Sequence, residues 1–217
     1  MKQLDRFPRK SLAHLPTPLE PLTRLSEHLG GPQIFVKRDD CTGLGTGGNK
    51  TRKLEFLMGE ALELGADTII TVGGPQSNHA RQTAAAAARL GLDCVLVLPH
   101  ISKFESPSYD TGGNVLLDHL FGAQVHLVDD EEAAAEKLGE VVMGLHGEER
   151  KPHFIPAGGS TPVGSLGYVA AVEELLEQAD AMELKIDHML VTTGSCSTHA
   201  GIVAGLAALN RPEKVLG

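Results

Sequence analysis

The sequence has few cysteines, and their arrangement argues against both disulfide and zinc-bound frameworks. Cys41, Cys94 and Cys196 are far apart, odd in number and form no C-x-x-C pair. We therefore expect a reducing compartment. The longest apolar runs, such as 94–98 (CVLVL), are far too short to span a membrane, and the N-terminus has no apolar signal-peptide core. The sequence thus predicts a cytoplasmic protein with no membrane partner.

The chain has no excess of positive charge. It contains 19 basic and 28 acidic residues, for a formal net charge of −9, and no basic cluster stands out. Such a surface does not neutralise phosphates, so we expect no nucleic-acid partner. The histidines form no H-x-x-x-H or H-E-x-x-H pattern, and we therefore predict no metal site.

Aromatic residues are few as well, at 4% with no tryptophan, whereas glycine is abundant at 25 residues. Glycine permits tight turns and close approach of the backbone to a small ligand. A chain with many short loops has the same composition, so composition does not decide between these two interpretations.

Short apolar stretches alternate with amphipathic ones along the chain. The predicted strands are 34–37, Thr68–Val72, 94–98, Gln124–Val128 and 188–192, and the predicted helices are 50–64, Asn78–Leu90, 114–120, 131–145, 163–178 and 198–209. This alternation predicts an α/β fold with open, mostly parallel sheets and flanking helices. A composition shift at 155–162 suggests a smaller domain at 51–157 and a larger one formed by 1–50 and 158–217.

The first stretch with candidate chemistry is the glycine-rich turn 43–53 (GLGTGGNKTRK), which leads into a predicted helix. The free amide N–H groups at a helix start favour anions. A nucleotide-binding P-loop is one alternative, but that motif requires glycine at the positions of Leu44 and Asn49. The nucleotide interpretation therefore ranks last, and a solvent-facing Lys50 is the ordinary alternative.

Two polar turns follow predicted strands farther along the chain. The turn 73–81 (GGPQSNHAR) opens an alanine-rich helix, which Ser77 or Asn78 can cap. The turn 192–201 (TTGSCSTHAG) combines hydroxyls, small residues and free amides, and suits a phosphate better. Open α/β sheets bind ligands at the carboxyl ends of their strands, although an ordinary helix start explains either turn alone.

These three stretches, in this order, resemble the pyridoxal-phosphate enzymes of the tryptophan-synthase-β type. The similarity is greater to the family of D-cysteine desulfhydrase and 1-aminocyclopropane-1-carboxylate deaminase, which includes an L-cysteate sulfo-lyase branch. The matching segments cover essentially the whole chain and are 15–22 (LPTPLEPL), 36–57 (VKRDDCTGLGTGGNKTRKLEFL), 76–92 (QSNHARQTAAAAARLGL), 158–168 (GGSTPVGSLGY) and 193–201 (TGSCSTHAG). The resemblance implies fold type II of the pyridoxal-phosphate enzymes, pyridoxal 5′-phosphate as cofactor, and a homodimer.

The resemblance also implies a role for each matching residue. Lys50 would carry the cofactor through its aldehyde and act as the proton-transfer base, and Lys53 would approach the phosphate. Ser77 would take part in the chemistry or hold the substrate carboxylate, and Asn78 would hydrogen-bond the cofactor ring oxygen. The substrate would lie against Gln76, Ser77, Asn78 and His79, and the phosphate against Gly194, Ser195, Cys196, Ser197 and Thr198.

The QSNH sequence resembles the desulfhydrase branch, since the deaminases typically carry glutamine in place of His79. The implied reaction is β-elimination from D-cysteine or L-cysteate to pyruvate, ammonia and sulfide or sulfite. Ring-opening deamination of 1-aminocyclopropane-1-carboxylate is the alternative.

This sequence departs from the family in two respects. Cys196 and Ser197 stand where glycine or alanine is expected, and the family chains continue beyond Gly217. The resemblance therefore implies an incomplete larger domain. A truncated paralogue that binds the cofactor without turnover is a further alternative.

Overall fold

The computed structural model describes residues 3–100 and 108–217 as an alternation of helices and strands. The helices are α1 (Thr23–Leu29), α2 (Lys50–Glu63), α3 (Asn78–Leu90), α4 (Gly113–Leu120), α5 (Glu131–Gly147), α6 (Pro162–Ala181) and α7 (Ser197–Ala208). The strands are β1 (Leu19–Pro21), β2 (Phe35–Lys37), β3 (Thr68–Val72), β4 (Asp93–Pro99), β5 (Gln124–Val128), β6 (Pro152–Ile155), β7 (His188–Leu190) and β8 (Lys214–Leu216). The predicted α/β class is confirmed.

The centre of the fold is a four-stranded parallel sheet with strand order β5-β4-β3-β6. Ile69 of β3 lies beside Cys94 of β4, and Thr71 lies beside Ile155 of β6. The two central strands are almost fully buried, which explains their continuous apolar sequences. Because the strands are parallel, their carboxyl ends lie at one edge, where β3 continues into the polar turn before α3.

Two smaller sheets lie outside the central one. Strands β1 and β2 pair in antiparallel fashion, whereas β7 and β8 pair in parallel. Helix α6 packs against both α2 and α7, and so connects the central region to the β7–β8 sheet. The division into a 51–157 domain and a domain formed by the remaining segments stays a prediction.

Helix α2 is buried along most of its length, since all residues from Thr51 to Gly59 are buried. Helix α6 comes very close to it at Gly167, where a Cβ atom would lie 2.2 Å from the carbonyl oxygen of Arg52. Only glycine permits this approach of two helix backbones. The contact fixes the first turn of α2, and therefore Lys50, against α6.

Three findings bear on the excluded function classes. No helix in the described ranges is long and apolar enough to cross a membrane. Residues 3–100 and 108–217 contain no group of three or more histidine, cysteine or carboxylate side chains placed to hold a metal ion. The three cysteines are all free thiols.

Candidate functional site

Lys50 is the first residue of α2, and its amine is half-buried. Its Nζ donates to Asn49 Oδ1 at 3.1 Å. Burial lowers the pKa of Lys50, because an ammonium group loses hydration in this position. The turn leading to it requires glycine at Gly47, where φ is 82° and a Cβ would lie 1.9 Å from the carbonyl oxygen of Asp40. The sequence therefore places an amine with a lowered pKa at a rigid helix start.

Lys50 and the 194–198 loop line the same cavity, which has a volume of about 770 Å³. Asn49 connects the two, since its Nδ2 donates to Thr198 Oγ1 at 3.3 Å. Much of the remaining wall is apolar and includes Phe35, Val172, Leu175, Ile186, Met189 and Ile202. Within the described ranges, the segment 76–79 is not part of this wall.

Lys53 lies one helical turn beyond Lys50 and is almost fully buried. Its Nζ donates to Ser197 Oγ at 2.6 Å and to Gly158 O at 3.1 Å. Burial, together with the positive charge of Lys50, lowers the pKa of Lys53 to about 8. An anion at the 194–198 loop would oppose both effects, so the amine is suited to binding phosphate.

The stability of the chain should therefore depend on the protonation of Lys53. Its pKa is about 8 in the folded state and 10.5 in the unfolded state. Between these pH values the unfolded chain binds more protons, so the free energy of unfolding should rise with pH. The rise should be smaller in Lys53→Met, as measured by urea unfolding at several pH values. Lys151→Met, at an exposed lysine, should keep the wild-type slope; an unchanged slope in Lys53→Met would contradict the interpretation.

The 194–198 loop turns directly into α7, which begins at Ser197. Ser197 N donates to Ser195 O at 2.9 Å, and Ser160 Oγ donates to the same carbonyl at 2.7 Å. Cys196 has φ of 65°, a left-handed conformation that costs a non-glycine residue roughly 1–2 kcal/mol. The departure from glycine at this position therefore adds strain to the loop, while its fold is retained.

The donors around this loop fit a phosphate group. Lys53 supplies an ammonium, Ser197 and Thr198 supply hydroxyls, and the amides of Thr198 and His199 in the first turn of α7 have no backbone acceptor among the described residues. Ser197 and Thr198 are both buried, so these donors are already withdrawn from bulk water. The chemistry of this donor set is that of an anion site.

Ser77 serves first as the N-cap of α3. Its Oγ accepts a hydrogen bond from Ala80 N at 3.2 Å, with φ and ψ of −71° and 119°. Its neighbour Asn78 is exposed, and Asn78 Oδ1 accepts hydrogen bonds from Arg81 and, at 3.0 Å, from Asn114 Nδ2. The capping prediction for Ser77 is confirmed; the substrate and cofactor roles of both residues stay predictions.

Removal of the Ser77 hydroxyl should be measurable apart from any catalytic role. We expect Ser77→Ala to lower the free energy of unfolding by about 1 kcal/mol, because the N–H of Ala80 loses its acceptor. Ser77→Asn should restore the cap. Asp130→Ala is a matched control, since Asp130 caps α5 in the same way through Ala133 N. A variant Ser77→Asn with wild-type stability but no turnover would assign Ser77 to the chemistry, whereas unchanged stability in Ser77→Ala would contradict the cap.

Gln76 uses its side chain to hold the segment before α4. Its Nε2 donates to Tyr109 O and to Gly112 O, at 2.5 and 3.1 Å. Its Oε1 accepts from Asn114 N at 2.9 Å. Little hydrogen-bonding capacity remains for a substrate, so the geometry gives Gln76 a structural role.

His79 is 3% exposed and lies beneath the site. Thr71 Oγ1 donates to Ile155 O at 2.6 Å, so it must accept the hydrogen bond that joins it to His79 Nε2 at 2.8 Å. The proton is therefore on Nε2, and Nδ1 has no partner in the described part of the chain. Burial and the positive charges of Lys50 and Lys53 lower the pKa of His79 to about 3, which keeps the ring neutral.

Sequence reasoning missed two buried arginines that support the site. Arg52 is 2% exposed and bonds Asp39 and Glu174, each at 2.9 Å. Arg81 is 5% exposed and donates to the turn that precedes Lys50. Arg52 lies in the glycine-rich stretch 43–53 and Arg81 in the polar turn 73–81, and these positions were the available signal in the sequence. Their partners are distant in the sequence and could not be identified from it.

Comparisons with known proteins show the family to which the chain belongs. A family model described as "Pyridoxal-phosphate dependent enzyme" matches residues 10–217. A 1-aminocyclopropane-1-carboxylate deaminase from Burkholderia lata is 47% identical over 99% of this chain, and a D-cysteine desulfhydrase from Klebsiella pneumoniae is 46% identical over 100% of it. A crystal structure described as an ACC deaminase homologue superposes with a TM-score of 0.87 and 43% identity, and covers 98% of this chain.

The chain is shorter than these proteins. It spans 65% and 66% of the length of the two curated relatives, and 62% of the crystallised homologue. The similarity is almost equal for the deaminase and the desulfhydrase, so overall identity does not distinguish between them.

Proposed function

Because this chain belongs to the family of pyridoxal-phosphate dependent enzymes, with pyridoxal phosphate as its cofactor, we propose that Lys50 attaches the cofactor covalently. The observation that carries the proposal is the position of Lys50. Its half-buried amine, with a lowered pKa, lines the same cavity as the anion-binding loop 194–198. A neutral amine is the form that reacts with an aldehyde.

The phosphate would be held by Lys53, Ser197 and Thr198 together with the first amides of α7. Lys53 supplies the positive charge, and the buried hydroxyls supply directed hydrogen bonds. Asn78 is assigned to the cofactor ring by the resemblance. Its amide oxygen already accepts two hydrogen bonds, so its amide nitrogen is the atom left for that contact.

Once the Lys50 amine is released from the cofactor, we expect it to move the proton at the substrate Cα. When bound, the cofactor serves as a sink for the electron pair left on that carbon. Burial lowers the pKa of the Lys50 amine and so favours the neutral form, which is the form able to accept the proton. Asn49 Oδ1 lies 3.1 Å from Nζ and orients the free amine. The apolar cavity wall limits access of water to the reacting atoms.

The proposed activity is that of a lyase or deaminase acting on a small amino acid. For D-cysteine, elimination of the β-thiol followed by hydrolysis yields pyruvate, ammonia and sulfide. For 1-aminocyclopropane-1-carboxylate, ring opening and hydrolysis yield a four-carbon 2-oxo acid and ammonia. The names of the relatives support both reactions, and His79 in the QSNH sequence favours the first. L-Cysteate remains a third substrate to test, and a homodimer in the cytoplasm remains an expectation from the resemblance.

The assignment is tested by the visible absorbance of the purified chain with added pyridoxal phosphate, before and after borohydride reduction. We expect an absorbance band that borohydride removes, and a reduced label on the peptide that contains Lys50. A label on another lysine would overturn the role of Lys50. The absence of a band, both here and in a version extended to the length of the relatives, would overturn the proposal.

Product analysis then separates the substrates. The chain, or its extended version, is supplied in turn with D-cysteine, L-cysteate and 1-aminocyclopropane-1-carboxylate, and the 2-oxo acid and sulfur product are identified. Pyruvate with sulfide supports the desulfhydrase. A four-carbon 2-oxo acid supports the deaminase. Cofactor attachment without any product would support a non-catalytic paralogue.

A further inference from the structure

The glycine-rich turn before Lys50 is held by a side chain from another helix. Gly45, Thr46 and Gly47 all have positive φ, at 52°, 70° and 82°. This conformation is unfavourable for the β-branched Thr46. Arg81 of α3 donates to Gly45 O, to Thr46 Oγ1 and, at 3.1 Å, to Gly47 O. One guanidinium thus bonds three consecutive residues of the turn.

The same guanidinium also reaches the polar turn at the start of α3. Its Nη2 donates to Asn78 Oδ1 at 3.3 Å. Asn114 Nδ2 donates to this oxygen as well, at 3.0 Å, so the orientation of the Asn78 amide is set from two sides. Arg81 therefore contacts both the turn that carries Lys50 and the residue assigned to the cofactor ring.

A buried carboxyl group from α4 accompanies Arg81. Asp118 is 0% exposed, and neither of its oxygens has a hydrogen-bond partner among the described residues. Within residues 3–100 and 108–217, Arg81 Nε has no hydrogen-bond partner either. Burial raises the pKa of Asp118 to about 7, and the positive charge of Arg81 opposes this rise across the contact between α3 and α4. Asp118 and Arg81 form no hydrogen bond with each other, so the contacts of Arg81 with the turn do not depend on Asp118.

We infer that Arg81 is a positioning residue that holds the Lys50-bearing turn and Asn78 in a fixed relation. The consequence for cofactor attachment rests on the proposed function. The structural part does not, because it concerns contacts within the chain alone.

Only an arginine side chain can make all of the hydrogen bonds described for Arg81. Its planar guanidinium has five donors in a fixed arrangement and can bond several acceptors in different directions. A lysine ammonium at the same place would keep the charge but could not span the acceptors from Gly45 to Asn78. Arg81→Lys therefore removes the geometry while retaining the charge.

Hydrogen–deuterium exchange of the chain without cofactor tests the structural part. The amides of Gly47 and Gly48 are protected by Leu44 O and Thr42 Oγ1, at 2.9 and 2.8 Å. We expect Arg81→Lys to accelerate exchange in this turn by about tenfold, because its opening becomes easier. Exchange in β3 and β4 should be unchanged. Arg89→Lys is the matched control, since Arg89 is exposed on the same helix and donates to Leu12 O, away from the turn. Exchange within about twofold of wild type in Arg81→Lys would overturn the inference.

Two further measurements keep the outcomes separate. If the Arg81→Lys variant does not fold, NMR of the Arg81 guanidinium in the wild-type chain provides the test. Separate signals for the Nη hydrogens would support a side chain held in one orientation. A single averaged signal would overturn the inference. Cofactor attachment at Lys50 should be slowed by roughly a hundredfold in Arg81→Lys. Failure of both the wild-type chain and its extended version to attach cofactor would refute the proposed function and leave the exchange result intact.

Discussion

Replacing Lys50 by alanine is expected to abolish covalent cofactor attachment and to lower turnover by about a thousandfold or more. The expected loss is large because the same amine would hold the cofactor and move the substrate proton. Two other lysines line the cavity, but Lys37 is bonded to Glu174 and Gln178, and Lys185 is paired with Asp187. Lys53 donates to Ser197 and Gly158. Borohydride labelling followed by peptide mapping, together with steady-state rates, measures both effects.

Two variants define the specificity of this result. Lys50→Arg keeps a positive charge but cannot form the covalent bond, so it should also lack the label. Lys151→Ala, at an exposed lysine, should label and turn over like wild type. A borohydride-stable label that persists in Lys50→Ala would mean that another amine carries the cofactor.

Replacing Arg52 by methionine is expected to lower the free energy of unfolding by about 3–5 kcal/mol. Arg52 Nη2 lies 2.9 Å from carboxylate oxygens of both Asp39 and Glu174, and its side chain is only 2% exposed. Removing it leaves two carboxylates with reduced compensation in a partly buried region. Lys37, which also bonds Glu174 at 2.5 Å, offsets only part of the loss.

The measurement is urea unfolding at neutral pH, in which the loss of unfolding free energy in Arg52→Met is compared with that in Arg38→Met. Arg38 also bonds two carboxylates, those of Glu20 and Asp40, but on the exposed surface, so its replacement should have a much smaller effect. Equal effects of the two replacements would show that burial does not set the strength of the Arg52 network.

The same network makes stability sensitive to acid. Burial opposes ionisation of Glu174, but the hydrogen bonds from Arg52 and Lys37 lower its pKa from 4.5 to about 2. A depressed carboxylate pKa stabilises the fold above the unfolded-state value, and this contribution is lost as the pH falls from 4.5 toward 2. Arg52→Met should weaken that dependence.

The elements with strong local signals were predicted well. The bounds of β3 and α3 agree with the sequence prediction, because the strand is a continuous β-branched run and α3 is followed by Gly91 in the left-handed conformation. Strand β6 was missed. It begins with Pro152 and is an edge strand with Phe154 44% exposed, so it lacks the apolar run of a central strand.

The very short elements were also missed or shortened. Strands β1, β7 and β8 have three residues each, and their pairing depends on partners far along the chain. The predicted strand 188–192 ends at Leu190, since Thr192 and Thr193 already belong to the loop before α7.

For the site, the sequence identified the glycine-rich turn and the two polar turns but not how their side chains are used. The amide of Gln76 holds the backbone before α4, and His79 is buried against Thr71 outside the cavity wall. The contact of both residues with the substrate stays a prediction. The sequence does not reveal these structural contacts, because a polar residue in a turn has structural as well as chemical uses, and only tertiary contacts distinguish them.

The two lysines in the first turn of α2 have a consequence for the abundance of the protein. Both ammonium groups lie where the helix dipole favours negative charge, and burial lowers the pKa of each. A phosphate-bearing cofactor that binds only the folded chain therefore acts as a folding ligand. At a free concentration a hundred times its Kd, it would add about 2.7 kcal/mol to the free energy of unfolding. A cell that reduces its supply of the cofactor would thereby lower the amount of folded protein as well as its activity.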